Sequence, residues 1–165
     1  MIAMAISCNP KILIADEPTT ALDVTTQAQI LDLMQEMTRQ FNTSLIIVTH
    51  NMGVVARYAE RIYVMYAGRI VESGRSDDIF DDPRHPYTIG LINCVPQLGE
   101  TRETRQLVPI TGLPPDLIDM PGTCAFLPRC QFRTEECAAN AWPPLRPVAE
   151  GHEISCFVDT REKSQ

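Results

Sequence analysis

Two short apolar runs on either side of one amphipathic stretch constrain this chain more than any other feature. Ile12-Leu13-Ile14-Ala15 and Leu45-Ile46-Ile47-Val48 are apolar throughout, the pattern of strands buried on both faces. Between them Asp23 can cap a helix beginning near Val24. Ile30, Met34, Met37 and Phe41 form one stripe of that helix, with Asp32, Glu36 and Arg39 elsewhere. A strand, a crossover helix and a second strand of this kind predict parallel neighbours. Met52, Val55, Ala56 and Ala59 suggest a short helix, and Arg61 to Tyr66 a third strand. Ala67-Gly68 can turn that strand into Arg69 to Glu72, ending at Gly74. The expected fold class is α/β with a largely parallel sheet.

Past Gly74 the pattern weakens. Ser76 can cap a helical turn, Pro83 and Pro86 break the chain, and a helix over Tyr87 to Cys94 follows. From Pro96 onward most of the prolines and four cysteines gather in a stretch with little periodicity. Three segments are therefore expected: an α/β part over 1–75, a helical linker over 76–95, and a loop-rich appendage over 96–165 that needs a staple to hold it. Hydrophobic residues make up 44% of the chain, enough for a core. The formal charge of −7, with no Lys/Arg cluster, argues against nucleic acid as a partner. No apolar run approaches the about 20 residues of a membrane span, and the start has no basic region preceding an apolar one. A cytosolic setting is expected, in which the six cysteines are thiols or metal ligands rather than disulfides.

The first apolar run ends in Asp16-Glu17. Carboxylates at the carboxyl end of a parallel strand sit where open α/β sheets bind ligands. Phosphoryl transfer needs one carboxylate near Mg²⁺ and a second group to position or deprotonate water, and adjacent Asp and Glu can divide those roles. A solvated turn closed by Pro18 is the plainer alternative. The longer string Leu13-Ile14-Ala15-Asp16-Glu17-Pro18-Thr19-Thr20-Ala21-Leu22-Asp23 resembles the Walker B and D-loop segment of ABC-type ATPases. Ile46-Ile47-Val48-Thr49-His50 resembles their switch-histidine strand, and Val64 to Gly74 their next strand pair. The resemblance implies ATP and Mg²⁺ as cofactors, Asp16 holding Mg²⁺, Glu17 as general base, His50 at the γ-phosphate and Asp23 signalling across an ATPase dimer. Asp23 also serves as a helix N-cap, and both roles can coexist. Asn51 follows His50 where the family usually has Asp.

The phosphate cradle of such enzymes, a glycine-rich loop ending in Gly-Lys-Ser/Thr, has no counterpart here. No Gly-Lys pair occurs, and the first glycine is Gly53. The family's Leu-Ser-Gly-Gly signature is missing too. The expected fold is thus an incomplete P-loop NTPase sheet, inactive alone, since two carboxylates without a cradle repel a polyanion. In the family the strand leading to the phosphate loop lies between the two strands that here are Leu45–Val48 and Arg61–Met65. Those strands are therefore expected to stand apart or collapse together, while Ile12–Ala15 pairs in parallel with Leu45–Val48.

Cys124, Cys130, Cys137 and Cys156 are separated by five, six and eighteen residues. Four thiolates can hold zinc or an iron–sulfur cluster, and these wide gaps lean away from zinc. His85-Pro86-Tyr87-Thr88-Ile89-Gly90-Leu91 and Cys124-Ala125-Phe126-Leu127-Pro128-Arg129-Cys130 resemble the C-terminal extension of oligopeptide and dipeptide importer ATPases, some of which carry a four-iron four-sulfur cluster on such cysteines. The resemblance implies an energising subunit on the cytoplasmic face of the membrane. Its implied partners are transmembrane permease subunits, a second ATPase subunit and, indirectly, a substrate-binding protein. The competing expectation is a non-enzymatic metal-cluster module on an incomplete ATPase. Cys8 and Cys94 are expected as buried small hydrophobes, His152 as a surface residue, and Trp142 as packing for the appendage.

Overall fold

The computed structural model describes residues 2–95, 109–118, 120 and 122–161. Residues 96–108 of the expected appendage lie outside them. The chain divides into two compact units, 1–58 and 59–165.

In the first unit α1 (Ile2–Ile6) leads into β1 (Ile12–Asp16), α2 (Val24–Gln40), β2 (Ser44–Val48) and α3 (Met52–Tyr58). β1 and β2 pair in parallel, Leu13 opposite Leu45 and Asp16 opposite Val48, as the two apolar runs predict. Asp23 caps α2, its Oδ1 accepting from the Thr25 and Thr26 amides and its Oδ2 from the Thr26 hydroxyl at 2.6 Å. These bonds satisfy donors that a helix start leaves orphaned and hold the Asp23 carboxyl below its usual range. Ile30, Met34 and Met37 of the expected stripe face the core of this unit, Leu31 and Thr38 are buried beside them, and Phe41 ends up exposed at the C-cap. Ile6, Leu13 and Met34 form the core of this unit, with Ala15, Ile30, Met37 and Leu45 packed against it. That core covers one face of the strand pair. On the other face Ile12, Ile14, Ile46 and Val48 are 48–66% exposed.

The second unit corrects the expectation of a largely parallel sheet. β3 (Arg61–Tyr66) and β4 (Arg69–Arg75) form an antiparallel hairpin. β4 pairs next with β6 (His152–Ile154), and β6 with β5 (Arg146–Ala149), all antiparallel in the order β3-β4-β6-β5. The strands read as the end of the α/β core therefore share a sheet with two strands of the appendage. β2 and β3 belong to different sheets and do not pair. The tight Ala67-Gly68 turn needs positive φ at both positions, 48° and 76°. β4 runs one residue past Gly74, where a Cβ would stand 3.2–3.3 Å from Ile79 and His152. α4 (Ser76–Asp81) begins without a side-chain cap, and α5 (Pro86–Asn93) is capped by His85, whose Nδ1 accepts from the Tyr87 amide at 3.1 Å. A 3₁₀ turn (Leu127–Arg129) and α6 (Glu135–Ala139) complete the described elements. Trp142 is buried, as expected, donating from Nε1 to Ser155 Oγ at 2.9 Å. Cys8 is exposed, against expectation, because it lies in the open turn after α1.

Candidate functional site

β1 carries Asp16 and Glu17 to the C-terminal edge of the strand pair, and the chain after β2 brings Thr49 and His50 to the same edge. The Glu17 amide donates to Val48 O at 2.8 Å, extending the ladder by one bond. Glu17 then turns into the left-handed region at φ 44°, an uncommon conformation outside glycine and a mark of sites that aim a side chain. Its carboxylate is held on both oxygens. Oε1 accepts from the His50 amide at 3.1 Å and contacts His50 Nδ1 at 2.6 Å. Oε2 accepts from the hydroxyls of Thr20 at 3.1 Å and Thr49 at 3.5 Å. The hydrogen bond to the His50 ring leads the interactions that keep the Glu17 carboxyl below its ordinary range. The His50 side chain is otherwise open to solvent, 85% exposed.

Asp16 is exposed and its carboxylate makes no hydrogen bond or ion pair among the described residues, which leaves it available to a divalent cation beside Glu17. Asp23 lies one turn further along, engaged in capping. Three of the four residues singled out for nucleotide chemistry, Asp16, Glu17 and His50, thus meet at one edge. Thr20 and Thr49 were not anticipated, although both fall inside the strings that carry the resemblance.

A second cluster lies within the other unit. Cys124, Cys130, Cys137 and Cys156 all line one small cavity, walled also by Pro86, Phe126 and Phe157. Burial raises the Cys124 thiol above its usual range and pushes Cys156 up to about 11, with the neighbouring cysteines adding to the Cys156 shift. Gathered thiols in apolar surroundings stay protonated unless a cation offsets them. Among the described residues no three of His, Cys, Asp and Glu stand at the geometry of a metal site.

His152 is not the surface residue expected. It is 1% exposed, and its Nε2 lies 2.7 Å from Oε1 of Glu72, which is fully buried. The same carboxylate accepts from the amides of Arg84 at 2.7 Å and His85 at 2.9 Å. Glu72 thereby ties β4 and β6 to the start of α5. Arg84, also buried, pairs with Asp82 and Asp159. Nothing local marks these residues, since the pairing joins positions 80 apart.

Residues 71–137 match the model of the oligopeptide/dipeptide transporter C-terminal region. A putative peptide import ATP-binding protein of Brucella ovis is 55% identical over 94% of this chain and 47% of its own length. The oligopeptide transport ATP-binding protein OppD of Salmonella typhimurium is 50% identical over 98% of this chain and 47% of its own. CbiO1 of Clostridium perfringens, part of the ABC transporter complex CbiONQ, is 36% identical over 44% of this chain and 29% of its own, at a TM-score of 0.42. The sequence relatives set the class, that of ABC transporter ATP-binding proteins. Within that class the chain belongs to the oligopeptide/dipeptide transporter family. It spans about half the length of the curated relatives it matches.

Proposed function

We propose that this chain supplies the hydrolytic half of a nucleotide site in an ABC importer that energises peptide uptake, working with permease subunits and a second ATPase subunit at the cytoplasmic face of the membrane. The observation that carries the reading is the meeting of Glu17 and His50 beside Asp16 at the carboxyl edge of β1 and β2. In phosphoryl transfer the protein positions groups and stabilises charge rather than forming covalent bonds. Mg²⁺, when bound, would offset the phosphate charge, and Asp16 would hold it. Glu17 would accept the proton of the attacking water. For that it must exchange at least one of its four present hydrogen bonds for one to water, and the His50 ring bond is the one with a mobile, exposed partner. His50, so released, would be free to donate to a phosphate oxygen. Asp23 would report the state of the site to the partner subunit from its position at the start of α2.

The test is a fusion of this chain to the half of the Brucella ovis relative that it does not match. The fusion should hydrolyse ATP, and Glu17→Gln should lower turnover by about 10²–10⁴-fold while ATP still binds. Full turnover in that variant would remove Glu17 as the base. The 165-residue chain by itself should show no turnover.

A second reading concerns the four thiols and is supported by their convergence on one cavity. Cys124, Cys130, Cys137 and Cys156 would hold a metal centre there, of iron–sulfur type by resemblance. The donor chemistry and convergence fit, and the sulfurs must close inward to reach ligand geometry. Anaerobically purified protein should carry iron and sulfide. Zinc in their place would keep the site and change its occupant, and protein free of metal would remove the site.

A further inference from the structure

We propose that Thr20 and Thr49 are positioning residues for the hydrolytic step: their hydroxyls hold Oε2 of Glu17 in place, so that Oε1 is the oxygen presented to the attacking water. The inference deepens the proposed function and rests on its reading of Glu17 as the base.

The two oxygens of this carboxylate are held in different ways. Oε1 faces the His50 amide at 3.1 Å and the exposed His50 ring. Oε2 accepts from the hydroxyls of Thr20 at 3.1 Å and Thr49 at 3.5 Å. Both hydroxyls are tied to nearby backbone. The Thr20 amide donates to Glu17 O at 3.2 Å, closing a turn that returns Thr20 to the carboxylate. Thr49 Oγ1 accepts from the Asn51 amide at 3.1 Å, which occupies a lone pair and leaves the hydroxyl proton for Oε2. Threonine is also stiff at its first side-chain torsion, so each hydroxyl stays where the backbone aims it. Thr20 comes from the chain after β1 and Thr49 from the chain after β2. Oε2 is therefore fastened to the ends of both strands, whereas Oε1 answers to one residue whose ring can leave.

The terminal torsion of a glutamate is broad and roughly two-fold, so an unheld carboxylate presents either oxygen. Fixing one oxygen removes that freedom before substrate arrives, and orientation of this kind contributes directly to rate. When the His50 ring withdraws, Oε1 keeps one backbone donor and gains an open acceptor site. The water proton then passes to Oε1 as the water oxygen bonds the γ-phosphorus of ATP. The bond from that phosphorus to the bridging oxygen breaks, and its electron pair stays on the diphosphate.

The test uses the fusion of this chain to the unmatched half of the Brucella ovis relative. Thr20→Val should lower kcat about tenfold with the KM for ATP unchanged, and Thr20→Ser, which keeps the hydroxyl, should restore most of the loss. Thr49→Val should act in the same direction and more weakly, because its bond is the longer one. In a Glu17→Gln background Thr20→Val should lower the residual turnover no further, since the hydroxyl acts through the carboxylate it holds. Thr20 is exposed, so the thermal midpoint of Thr20→Val should match the parent's. If the valine disturbs folding, Thr20→Ala against Thr20→Ser still isolates the hydroxyl. Full kcat in the variants lacking the hydroxyl, a loss confined to KM, a serine no better than valine or alanine, or an undiminished loss in the Glu17→Gln background would each overturn the proposal and leave Glu17 standing as the base. Full turnover in Glu17→Gln alone would remove the base, and this proposal with it.

Discussion

The two units solve the same problem, burying polar backbone and apolar side chains, to different degrees of completion. In the second, a four-stranded antiparallel sheet is closed around Val71 and Ile154, and the charged groups inside it answer one another: Glu72 with His152 and two amides, Arg84 with Asp82 and Asp159. In the first, a two-stranded parallel pair is covered on one side and bare on the other. An antiparallel sheet can finish itself from short local and returning strands, but a parallel one needs elements on both faces. The difference teaches that the edge bearing Asp16, Glu17 and His50 sits on the less self-sufficient body, while the antiparallel body holds the thiols.

The strongest way to break this comparison is Glu72→Ala. It strands two amides and a histidine in the interior, and should cost about 3–5 kcal/mol. The cost should appear as a large fall in the denaturant midpoint of the second unit, followed through Trp142 fluorescence. A loss below about 1 kcal/mol would mean the network is not what closes that body.

Acid should come next. Burial lowers His85 to about 4 from an ordinary 6.5. Between those values the unfolded chain takes up a proton that the folded one refuses, so stability is fully present above about pH 6.5 and falls as pH drops toward 4, by up to about 3 kcal/mol. His85→Asn keeps an acceptor for the Tyr87 amide and should flatten that slope. An unchanged slope would place the acid sensitivity elsewhere.

Asp23→Ala, in the first unit, should produce a smaller change, a modest loss of helicity and a lower thermal midpoint, with Asp23→Ser restoring most of it. Helicity unaffected by the alanine would mean α2 is held by packing alone. The least effect is expected from Arg161→Ala, which removes an exposed pair with Asp82 and should shift stability by about 0–1 kcal/mol in the same denaturation experiment.

These residues also mark what could be read before the structure. β1, β2 and the cap of α2 were legible because their signals are local: four apolar residues in a row, and an aspartate before a helical period. Asp16, Glu17 and His50 were singled out by the strings that carry the resemblance, and the parallel pairing of the two runs they follow brings them to one edge. The antiparallel arrangement of β3 and β4 with the appendage was not legible. The hairpin itself was signalled by Ala67-Gly68, but β5 and β6 are too short and too polar to register as periodic, so the neighbours that β4 gains in the appendage were hidden. His152 was misread for the same reason, since a histidine's burial depends on the carboxylate across the sheet. In α2 the stripe Ile30, Met34 and Met37 was legible from its spacing, while the burial of Leu31 and Thr38 beside it was not.

Glu72 and His152 are 80 positions apart, whereas Glu17 and His50 are 33 apart. Order of synthesis then matters. At about 5–20 residues per second, the chain up to His50 emerges several seconds before His152 does. During that interval the first unit can assemble β1 on β2, since closing the shorter loop costs less entropy. The second cannot close, because a Glu72 buried against β3 and α5 would still lack its histidine and β4 its outer neighbour. A nascent chain halted before β6 should thus leave Glu72 without its histidine and β4 with a bare outer edge, and be a substrate for proteases and chaperones.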